Sequence, residues 1–341
     1  MKIIADRFIP FLQGRLEDVA EISYIDPSEF THERVKEADA LLIRTRTRCN
    51  SDLLAGSAVR FIGTCTIGMD QFDLPWCHGA GIATANAPGC NAPGVAQYVW
   101  AALLRMGMTP GKHRIGVVGY GNVGRIVAEW GESLGFDMLL NDPPLQESGK
   151  FPEMVHGRFA NLDTLLSECD AVTFHTPLTT SGKHPTHHLF SEEKVALLPH
   201  GGIIVNAARG PVTSTEALLK AHRERGTRLV VDTWEGEPCI SRPLLDAAYF
   251  ATFHIAGYSL QGKQRATRMA VEALCRRFSL PMPDMSDLAA PYRPGCDVSA
   301  EAILTSYDPA TDTKALRAAP DRFEDMRDHY SFRSEPSFVN R

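Results

Sequence analysis

The sequence predicts an α/β protein with two doubly wound, parallel-sheet domains of the Rossmann-like or flavodoxin-like type, followed by a short C-terminal segment. Short runs of branched apolar residues alternate with stretches of helical spacing along most of the chain, as in parallel sheets joined by helices. A chain of 341 residues has room for about two such domains. One strand–turn–helix passage also carries the glycine spacing of nucleotide-binding folds.

This glycine-rich turn follows the apolar run 114–118 and precedes a stretch of helical spacing at 126–134. In a dinucleotide fold the first glycine makes the tight turn, the second lets the backbone approach a pyrophosphate, and the third lets helix and strand pack closely. The helix N-terminus offers unpaired N–H groups to the anion. The residues predicted to bind the cofactor here are Gly119, Gly121, Asn122, Val123 and Gly124.

Asp142 follows a second apolar run at 136–140. Its spacing from Gly124 is close to the ~20 residues expected for a ribose-binding carboxylate. A carboxylate at this position repels a 2′-phosphate and accepts hydrogen bonds from a free ribose diol, so NAD is favoured over NADP. The alternative is an ordinary turn at a strand end, before Pro143.

Composition narrows the functional class. The net charge of −6 gives no general attraction to nucleic acid or to an anionic membrane, and no apolar stretch approaches the length of a membrane span. The first residues are charged and do not resemble a signal peptide. The eight cysteines form no C-x-x-C pair, so we expect no metal site and a reducing, cytoplasmic location.

The order of the elements suggests how the domains are arranged. We expect a substrate domain at 1–88, a nucleotide-binding domain at 89–259 and a return helix at 260–284 that completes the first domain. The proline-rich stretch 281–294 is typical of a linker. The charged tail 300–341 is too short to hold a core alone, so it should pack on another surface, for which a second subunit is our candidate. We expect 285–341 to be a dimerisation segment and the protein to be a homodimer.

Several predicted strands of the nucleotide-binding domain end in polar residues, and ligands of open α/β sheets bind beyond the carboxyl ends of the strands. These residues are Asp142, Thr176, Asn206, Asp232 and His254.

Arg209, Glu237 and His254 have the side chains that oxidation of a hydroxy acid requires. An arginine can hold a carboxylate through two parallel hydrogen bonds. A histidine can take the hydroxyl proton while hydride leaves the same carbon, and a paired carboxylate can orient its ring. Taken singly, each residue is equally compatible with a structural role: a surface-loop arginine, an acid in a turn and a buried histidine.

Three segments of the second half, residues 206–212, 232–238 and 254–258, resemble the motifs of the D-isomer-specific 2-hydroxyacid dehydrogenases. Within that family the chain is most similar to members that act on 4-phospho-D-erythronate in pyridoxal 5′-phosphate biosynthesis. The further segments that carry this similarity are 63–70, 87–92, 141–144, 174–178, 254–263 and parts of 307–330.

The resemblance implies NAD-linked oxidation of the C2 hydroxyl to a 2-oxo acid, with Arg209, Glu237 and His254 as catalytic residues. It implies substrate contacts at Thr45, Thr66 and Tyr258. The contacts it implies with NAD are at Asp142, Thr176, Asp232 and Gly257. One departure concerns Gln97, which stands where the family usually has glutamate.

Arg44, Arg46 and Arg48 follow the apolar run 40–43. If the chain stays extended, these side chains lie on one side, facing the interdomain cleft, and can hold a substrate phosphate. Arg44 is the first choice; the alternative is a solvated basic loop.

Two other functions remain open. One is a different D-2-hydroxyacid dehydrogenase, of the phosphoglycerate or glycerate/hydroxypyruvate type. The other is an NAD-sensing corepressor or scaffold protein, because such proteins can keep this fold.

Overall fold

The structure is a computed structural model that describes residues 1–155 and 157–340. Its contacts divide the chain into two compact units. Unit 1 comprises Met1–Asn91 and Ser259–Tyr292. Unit 2 comprises Ala92–Tyr258 and the chain from Arg293 onward.

Strands and helices alternate through both units. The strands are β1 (Lys2–Asp6), β2 (Glu21–Ile25), β3 (Ala40–Ile43), β4 (Phe61–Thr64), β5 (Ala83–Ala85), β6 (Arg114–Val118), β7 (Asp137–Asn141), β8 (Ala171–Phe174), β9 (Ile203–Asn206), β10 (Arg228–Val231), β11 (Phe250–Ala251), β12 (Cys296–Asp297) and β13 (Val339–Asn340). The α-helices are α1 (His32–Val35), α2 (Ser51–Leu54), α3 (Leu74–Gly79), α4 (Ala92–Arg105), α5 (Asn122–Ser133), α6 (Pro143–Ser148), α7 (Leu162–Glu168), α8 (Thr215–Arg225), α9 (Arg242–Ala247), α10 (Leu260–Phe278), α11 (Ala300–Ser306), α12 (Pro309–Ala318) and α13 (Phe323–Asp328).

Unit 1 is built on a parallel sheet with strand order β2-β1-β3-β4-β5. Strand β3 is buried on both faces: Ala40 and Leu42 belong to one apolar cluster, and Leu41 and Ile43 to the other. Helix α10 adds its apolar face to the first cluster. Such two-sided burial explains why these strands read as continuous apolar runs.

Unit 2 holds a second parallel sheet, with strand order β11-β10-β9-β8-β6-β7. After β6 the chain adds β7 on one side and β8 on the other, so the topological switch lies between β6 and β8. The predicted α/β class with two parallel sheets is therefore confirmed. Ligands of such sheets bind at the switch point, beyond the strand carboxyl ends.

The third glycine of the predicted loop brings α5 against β6. A Cβ at Gly124 would lie 1.8 Å from the carbonyl oxygen of Gly119 and 3.1 Å from Val117. Gly121, in contrast, has no atom within 4 Å of the position its Cβ would take. One glycine is needed for packing, and the other leaves open space at the helix N-terminus.

The C-terminal segment buries its apolar residues within its own chain. Ile303, Tyr307, Leu316 and Phe323 are nearly inaccessible to solvent, because α11 packs on α4 and α12 packs on β11. The hydroxyl of Thr313 accepts a hydrogen bond from the N–H of Ala251 at 3.0 Å, which covers this edge strand. Packing within the chain therefore buries these residues, and the homodimer stays a prediction.

The stretch 281–294 also differs from the predicted linker. Met285 and Leu288 are buried in a core cluster of unit 1. The guanidinium of Arg268 donates hydrogen bonds to the carbonyl groups of both residues and of Ala289. The prolines prevent regular structure here, but the segment is anchored.

Some elements were missed or assigned to the wrong type. Strand β2 and helix α12 were not predicted, because the exposed side chains of β2 break its apolar pattern and α12 lies in a charged stretch. The helical spacing at 191–197 predicts a helix with Ser191 as its N-cap, but the structure has a 3-10 helix, Glu192–Leu197, which the side chain of Ser191 does not cap. Among the described residues, no helix has the length and apolarity needed to cross a membrane.

Replacing each of the two glycines with alanine should separate their roles. We expect Gly124→Ala to lower the free energy of unfolding by about 1–3 kcal/mol, because the new methyl group displaces the Gly119 turn. Gly121→Ala should change it by less than ~0.5 kcal/mol. Urea unfolding of both variants measures the difference, and equal stabilities would contradict the packing role of Gly124.

Candidate active site

Three neighbouring strands of unit 2, β9, β10 and β11, end in loops that are hydrogen-bonded to one another. Asn206, the last residue of β9, donates from its amide to the carbonyl groups of Arg209 (3.1 Å) and Gly210 (3.2 Å) and to the hydroxyl of Thr213 (2.8 Å). Its amide oxygen accepts from the hydroxyl of Thr233, in the loop after β10. One buried amide therefore fixes the Arg209 loop and joins it to the next.

The Arg209 loop also lies against the turn that carries Glu237. A Cβ at Gly210 would lie 2.0 Å from the carbonyl oxygen of Trp234 and 2.5 Å from the nitrogen of Glu235. Only glycine permits this approach. Arg209 itself is partly buried, and its Nη1 donates to the carbonyl of Ala208 at 2.9 Å.

Glu237 and His254 form a close pair. Nδ1 of His254 lies 2.5 Å from Oε1 of Glu237, and both side chains are 26% exposed. The second carboxylate oxygen accepts from the N–H of Trp234 at 3.1 Å. Since the carboxylate accepts, Nδ1 carries the hydrogen, and Nε2 is the ring nitrogen left for proton exchange.

Neighbouring donors and positive charge keep Glu237 ionised. Burial by itself would raise the pKa of this carboxyl group. The hydrogen bond and charge of His254, the N–H of Trp234 and the positive charge of Arg327 outweigh burial and lower the pKa below its ordinary value of 4.5. Glu237 is therefore a carboxylate at neutral pH and can orient the imidazole.

His254 has a backbone φ of 59°, which is unusual for a residue with a side chain. The buried carboxylate of Asp232 holds the loop that follows. It accepts from the N–H of Ile255 (2.8 Å) and of Ala256 (3.0 Å), and from the hydroxyl of Thr252 (2.6 Å). The observed bonds give Asp232 a role in loop structure, and its contact with NAD stays a prediction.

The loops at the switch between β6 and β8 have the features of a dinucleotide site. Gly119 has a φ of 90°, and a Cβ there would lie 2.9 Å from the carbonyl of His175, so the two loops touch. Asn122 and Val123 begin α5. The hydroxyl of Thr176 is buried and makes no hydrogen bond within the described part of the chain. Open space at Gly121, an α5 N-terminus without a side-chain cap and this orphaned hydroxyl fit a bound NAD.

Asp142 lies at the end of β7 beside this loop. Its carboxylate accepts from the N–H of Tyr120 at 2.8 Å and from that of Leu145 at 2.9 Å, so it links the glycine loop to α6. A carboxylate has about four acceptor positions, which leaves capacity for a ribose diol. Gly257 lies farther along the chain, in the loop after His254.

The predicted substrate residues of unit 1 lie at the carboxyl ends of β3 and β4. The amide of Gln71 joins the two ends, because it donates to the carbonyl of Arg44 and to the hydroxyl of Thr64, both at 3.2 Å. The hydroxyl of Thr66 lies 2.7 Å from that of Thr64. Thr45 is exposed on the same loop.

Arg44 has a partner that the sequence did not suggest. Its Nε donates to the buried carboxylate of Asp6 at 3.0 Å. The chain bends at Thr45 and Arg46, so the assumption of an extended segment that places the arginines on one side is wrong. Arg44, Thr45 and Thr66 nevertheless belong to one region of unit 1.

Residues of the C-terminal segment also contribute to the site of unit 2. The guanidinium carbon of Arg327 lies 5.9 Å from the ring centre of Tyr258, and its charge acts on Glu237. Arg333 is buried and binds the loop after His254. The residue pattern did not single out either arginine, since both lie in a charged stretch without apolar periodicity.

Comparison with protein families identifies the nucleotide-binding part. The sequence model described as "D-isomer specific 2-hydroxyacid dehydrogenase, NAD binding domain" matches residues 94–256. The chain is similar to solved structures of this class. It aligns with 3-phosphoglycerate dehydrogenase from Entamoeba histolytica bound to NAD⁺ at a TM-score of 0.65 and 25% identity, over 82% of this chain and 95% of the other. Protein TT0316 from Thermus thermophilus shares the fold, with a TM-score of 0.67 and 24% identity over 83% of this chain and 99% of the other.

Full-length relatives specify the family more closely. The erythronate-4-phosphate dehydrogenase of Bacteroides fragilis is 43% identical over 98% of this chain and 97% of its own length. The enzyme of the same name from Bacteroides thetaiotaomicron is 41% identical over 100% of this chain and 99% of its own length. The one from Azotobacter vinelandii is 40% identical over 98% of this chain and 93% of its own length. The chain therefore belongs to the erythronate-4-phosphate dehydrogenase family, within the NAD-dependent D-isomer specific 2-hydroxyacid dehydrogenases.

Proposed function

We propose that this protein oxidises 4-phospho-D-erythronate at C2 to (R)-3-hydroxy-2-oxo-4-phosphobutanoate. The observation that carries the proposal is the His254–Glu237 pair at 2.5 Å, with the Arg209 loop against the turn that carries Glu237. The names of the full-length relatives support this substrate.

Arg209, His254 and Glu237 have distinct roles in this reaction. Arg209 binds the substrate carboxylate and polarises C2. Nε2 of His254 takes the proton of the C2 hydroxyl, and Glu237 stabilises the imidazolium that results. NAD held at the glycine loop would supply the acceptor for the hydride of C2. The carboxylate of Glu237 also fixes the ring tautomer, because it bonds Nδ1–H.

A spectrophotometric assay of NADH formation tests this assignment. The panel comprises 4-phospho-D-erythronate, unphosphorylated D-erythronate, 3-phospho-D-glycerate and D-glycerate. We expect the highest kcat/KM for the first. Preference for either glycerate would identify another dehydrogenase of the family. Tight NADH binding without turnover of any substrate would instead indicate an NAD sensor.

Substitution of the His–Glu pair should alter the chemistry more than cofactor binding. We expect His254→Ala to lower kcat by ~10²–10⁴ with little change in NADH affinity, because the general base is lost. In Glu237→Gln the imidazolium that forms when His254 takes the proton loses its anionic partner, so kcat should also fall. Near-normal turnover of His254→Ala would refute the assignment.

Asp142 should set the choice between NAD and NADP. We expect wild type to prefer NAD strongly, since the carboxylate repels a 2′-phosphate. Asp142→Asn removes the charge while keeping an oxygen to cap α6, and Asp142→Ala removes both. Each should bring the ratio of kcat/KM with NAD to kcat/KM with NADP closer to one. Equal use of both cofactors by wild type would contradict this role.

We propose that Arg44 contacts the substrate phosphate. Its Nε is engaged by Asp6, but a guanidinium has five N–H donors in a planar fork. The side chain remains 27% exposed, so the terminal nitrogens can reach a second anion. The neighbouring hydroxyls of Thr45 and Thr66 add neutral donors for the substrate.

Two substitutions separate the proposed phosphate contact of Arg44 from its ion pair with Asp6. Arg44→Ala should reduce kcat/KM for 4-phospho-D-erythronate by about 2–3 kcal/mol of transition-state stabilisation, and only slightly for D-erythronate. Asp6→Asn is the matched control, because it breaks the same pair but keeps Arg44. It should lower stability without changing the preference for the phosphate. Equal losses on both substrates in Arg44→Ala would show that Arg44 is structural.

We also propose that the protein is a cytoplasmic homodimer. The resemblance to family members with a dimerisation segment supports the dimer. The eight cysteines form no disulfide among the described residues, which is consistent with a reducing compartment. Light scattering at micromolar concentration measures the oligomeric state, and a monomer would count against the dimer.

A further inference from the structure

A buried arginine of the C-terminal segment binds the loop that follows His254. Nη1 of Arg333 donates to the carbonyl of Ile255 at 2.9 Å, and Nη2 donates to the carbonyl of Ala256. A longer contact of 3.4 Å joins Nη1 to the carbonyl of Tyr258. Arg333 is only 9% exposed. A residue far along the sequence thus holds the backbone next to the His–Glu pair.

The remaining donors of Arg333 reach helix α4. Its Nε donates to Oε1 of Gln97 at 3.0 Å, and Nη2 also donates to the carbonyl of Gly94 at 3.0 Å. The guanidinium carbon lies 4.2 Å from the ring centre of Tyr307. All three nitrogens of the guanidinium are therefore satisfied, and an aromatic face accommodates the charge.

The position of Gln97 is fixed by the same network. Its Nε2 donates to the hydroxyl of Ser306 at 2.9 Å and to the carbonyl of Ser334 at 2.8 Å. Since Nε of Arg333 can only donate and the Ser334 carbonyl can only accept, the amide has one orientation that satisfies both. Gln97 thus ties the residues on both sides of the Arg333–Ser334 peptide to α4.

The loop 254–258 is consequently held by two buried, oppositely charged side chains. Asp232 binds the N–H groups of Ile255 and Ala256, and Arg333 binds the carbonyl groups of the same two residues. His254 has its unusual φ of 59° at the start of this loop. A non-glycine residue keeps such a backbone only where the surroundings determine it.

Burial would lower the pKa of Arg333, but Tyr307, Tyr330 and Asp232 outweigh burial and raise the pKa above its ordinary value. The side chain is therefore a full cation, and its bonds to carbonyl oxygens are charge-assisted.

We propose that Arg333 is a positioning residue, which together with Asp232 sets the placement of His254 and Tyr258 for catalysis. The proposal rests on the function proposed above, since it concerns the same histidine. In this view the C-terminal segment completes the active site of its own chain. Loss of Arg333 leaves Glu237, Arg209 and the glycine loop in place and loosens only the loop that carries the base.

The test compares four variants of the full-length protein. Arg333→Gly removes the guanidinium, and Arg333→Lys keeps a charge but cannot reach all the carbonyl groups. Arg322→Ala is the control for a tail arginine, because Arg322 is exposed and pairs only with Asp325 among the described residues. Leu316→Ala is the control for destabilisation, since Leu316 is buried in helix α12 of the same segment.

We expect Arg333→Gly to lower kcat by ~10²-fold, the scale of an ångström-sized misplacement of a catalytic group. NADH affinity should change little. The decrease in kcat should be smaller for Arg333→Lys than for Arg333→Gly. Hydrogen exchange of a peptide covering 253–259 should become faster in both Arg333 variants and not in Leu316→Ala. Millimolar guanidinium chloride should restore turnover of Arg333→Gly, whereas the same concentration of sodium chloride should not.

Two results would overturn the proposal. One is a loss of kcat in Arg333→Gly no greater than that of Leu316→Ala at a matched decrease in Tm. The other is unchanged hydrogen exchange of the 253–259 peptide. The exchange measurement needs no turnover, so it tests whether Arg333 holds the loop 254–258 even if wild type oxidises none of the 2-hydroxy acids. Absence of wild-type activity with faster exchange in the variants would refute the proposed function alone.

Discussion

The buried carboxylate of Asp232 is the group on which the site of unit 2 depends. It follows β10 and takes three hydrogen bonds from residues 252–256, after the neighbouring strand β11. An ionised group can be buried at this depth only when donors replace its hydration. Loss of those bonds would free the loop that carries His254, and the 2.5 Å contact with Glu237 would not be maintained. The His254–Glu237 contact thus relies on a carboxylate that takes no part in it.

Features of the fold that depend on local pattern could be predicted from the sequence. The glycine loop, the strands buried on both faces and the polar residues at strand ends each follow from residues close together in the chain. Arg209, Glu237 and His254 lie in the loops that follow β9, β10 and β11, which is why their shared location on neighbouring loops could be expected. Strand β2 could not, because an edge strand keeps one side in water and loses the apolar run.

What could not be predicted depends on contacts between distant residues. Arg44 reads as a free cation beside other arginines, yet Asp6 binds it from a strand 38 residues earlier. The tail reads as a charged segment without a core, yet α4 and β11 supply the apolar surface on which it packs. A guanidinium or a carboxylate looks the same in sequence whether it is solvated or buried. Only the folded chain shows which charges have exchanged water for fixed partners.

Gln97 illustrates how a departure from the family pattern can be compensated. A glutamate at this position would give Arg333 a carboxylate partner, but it would face the Ser334 carbonyl, 2.8 Å from Nε2 of Gln97, with a second acceptor. The glutamine amide accepts from Arg333 on one side and donates to Ser334 on the other. The charge of Arg333 is then balanced by backbone carbonyl groups and, at longer range, by Asp232. Because α4 offers no carboxylate to compete for the guanidinium, Arg333 binds the carbonyl groups of Ile255 and Ala256, beside His254.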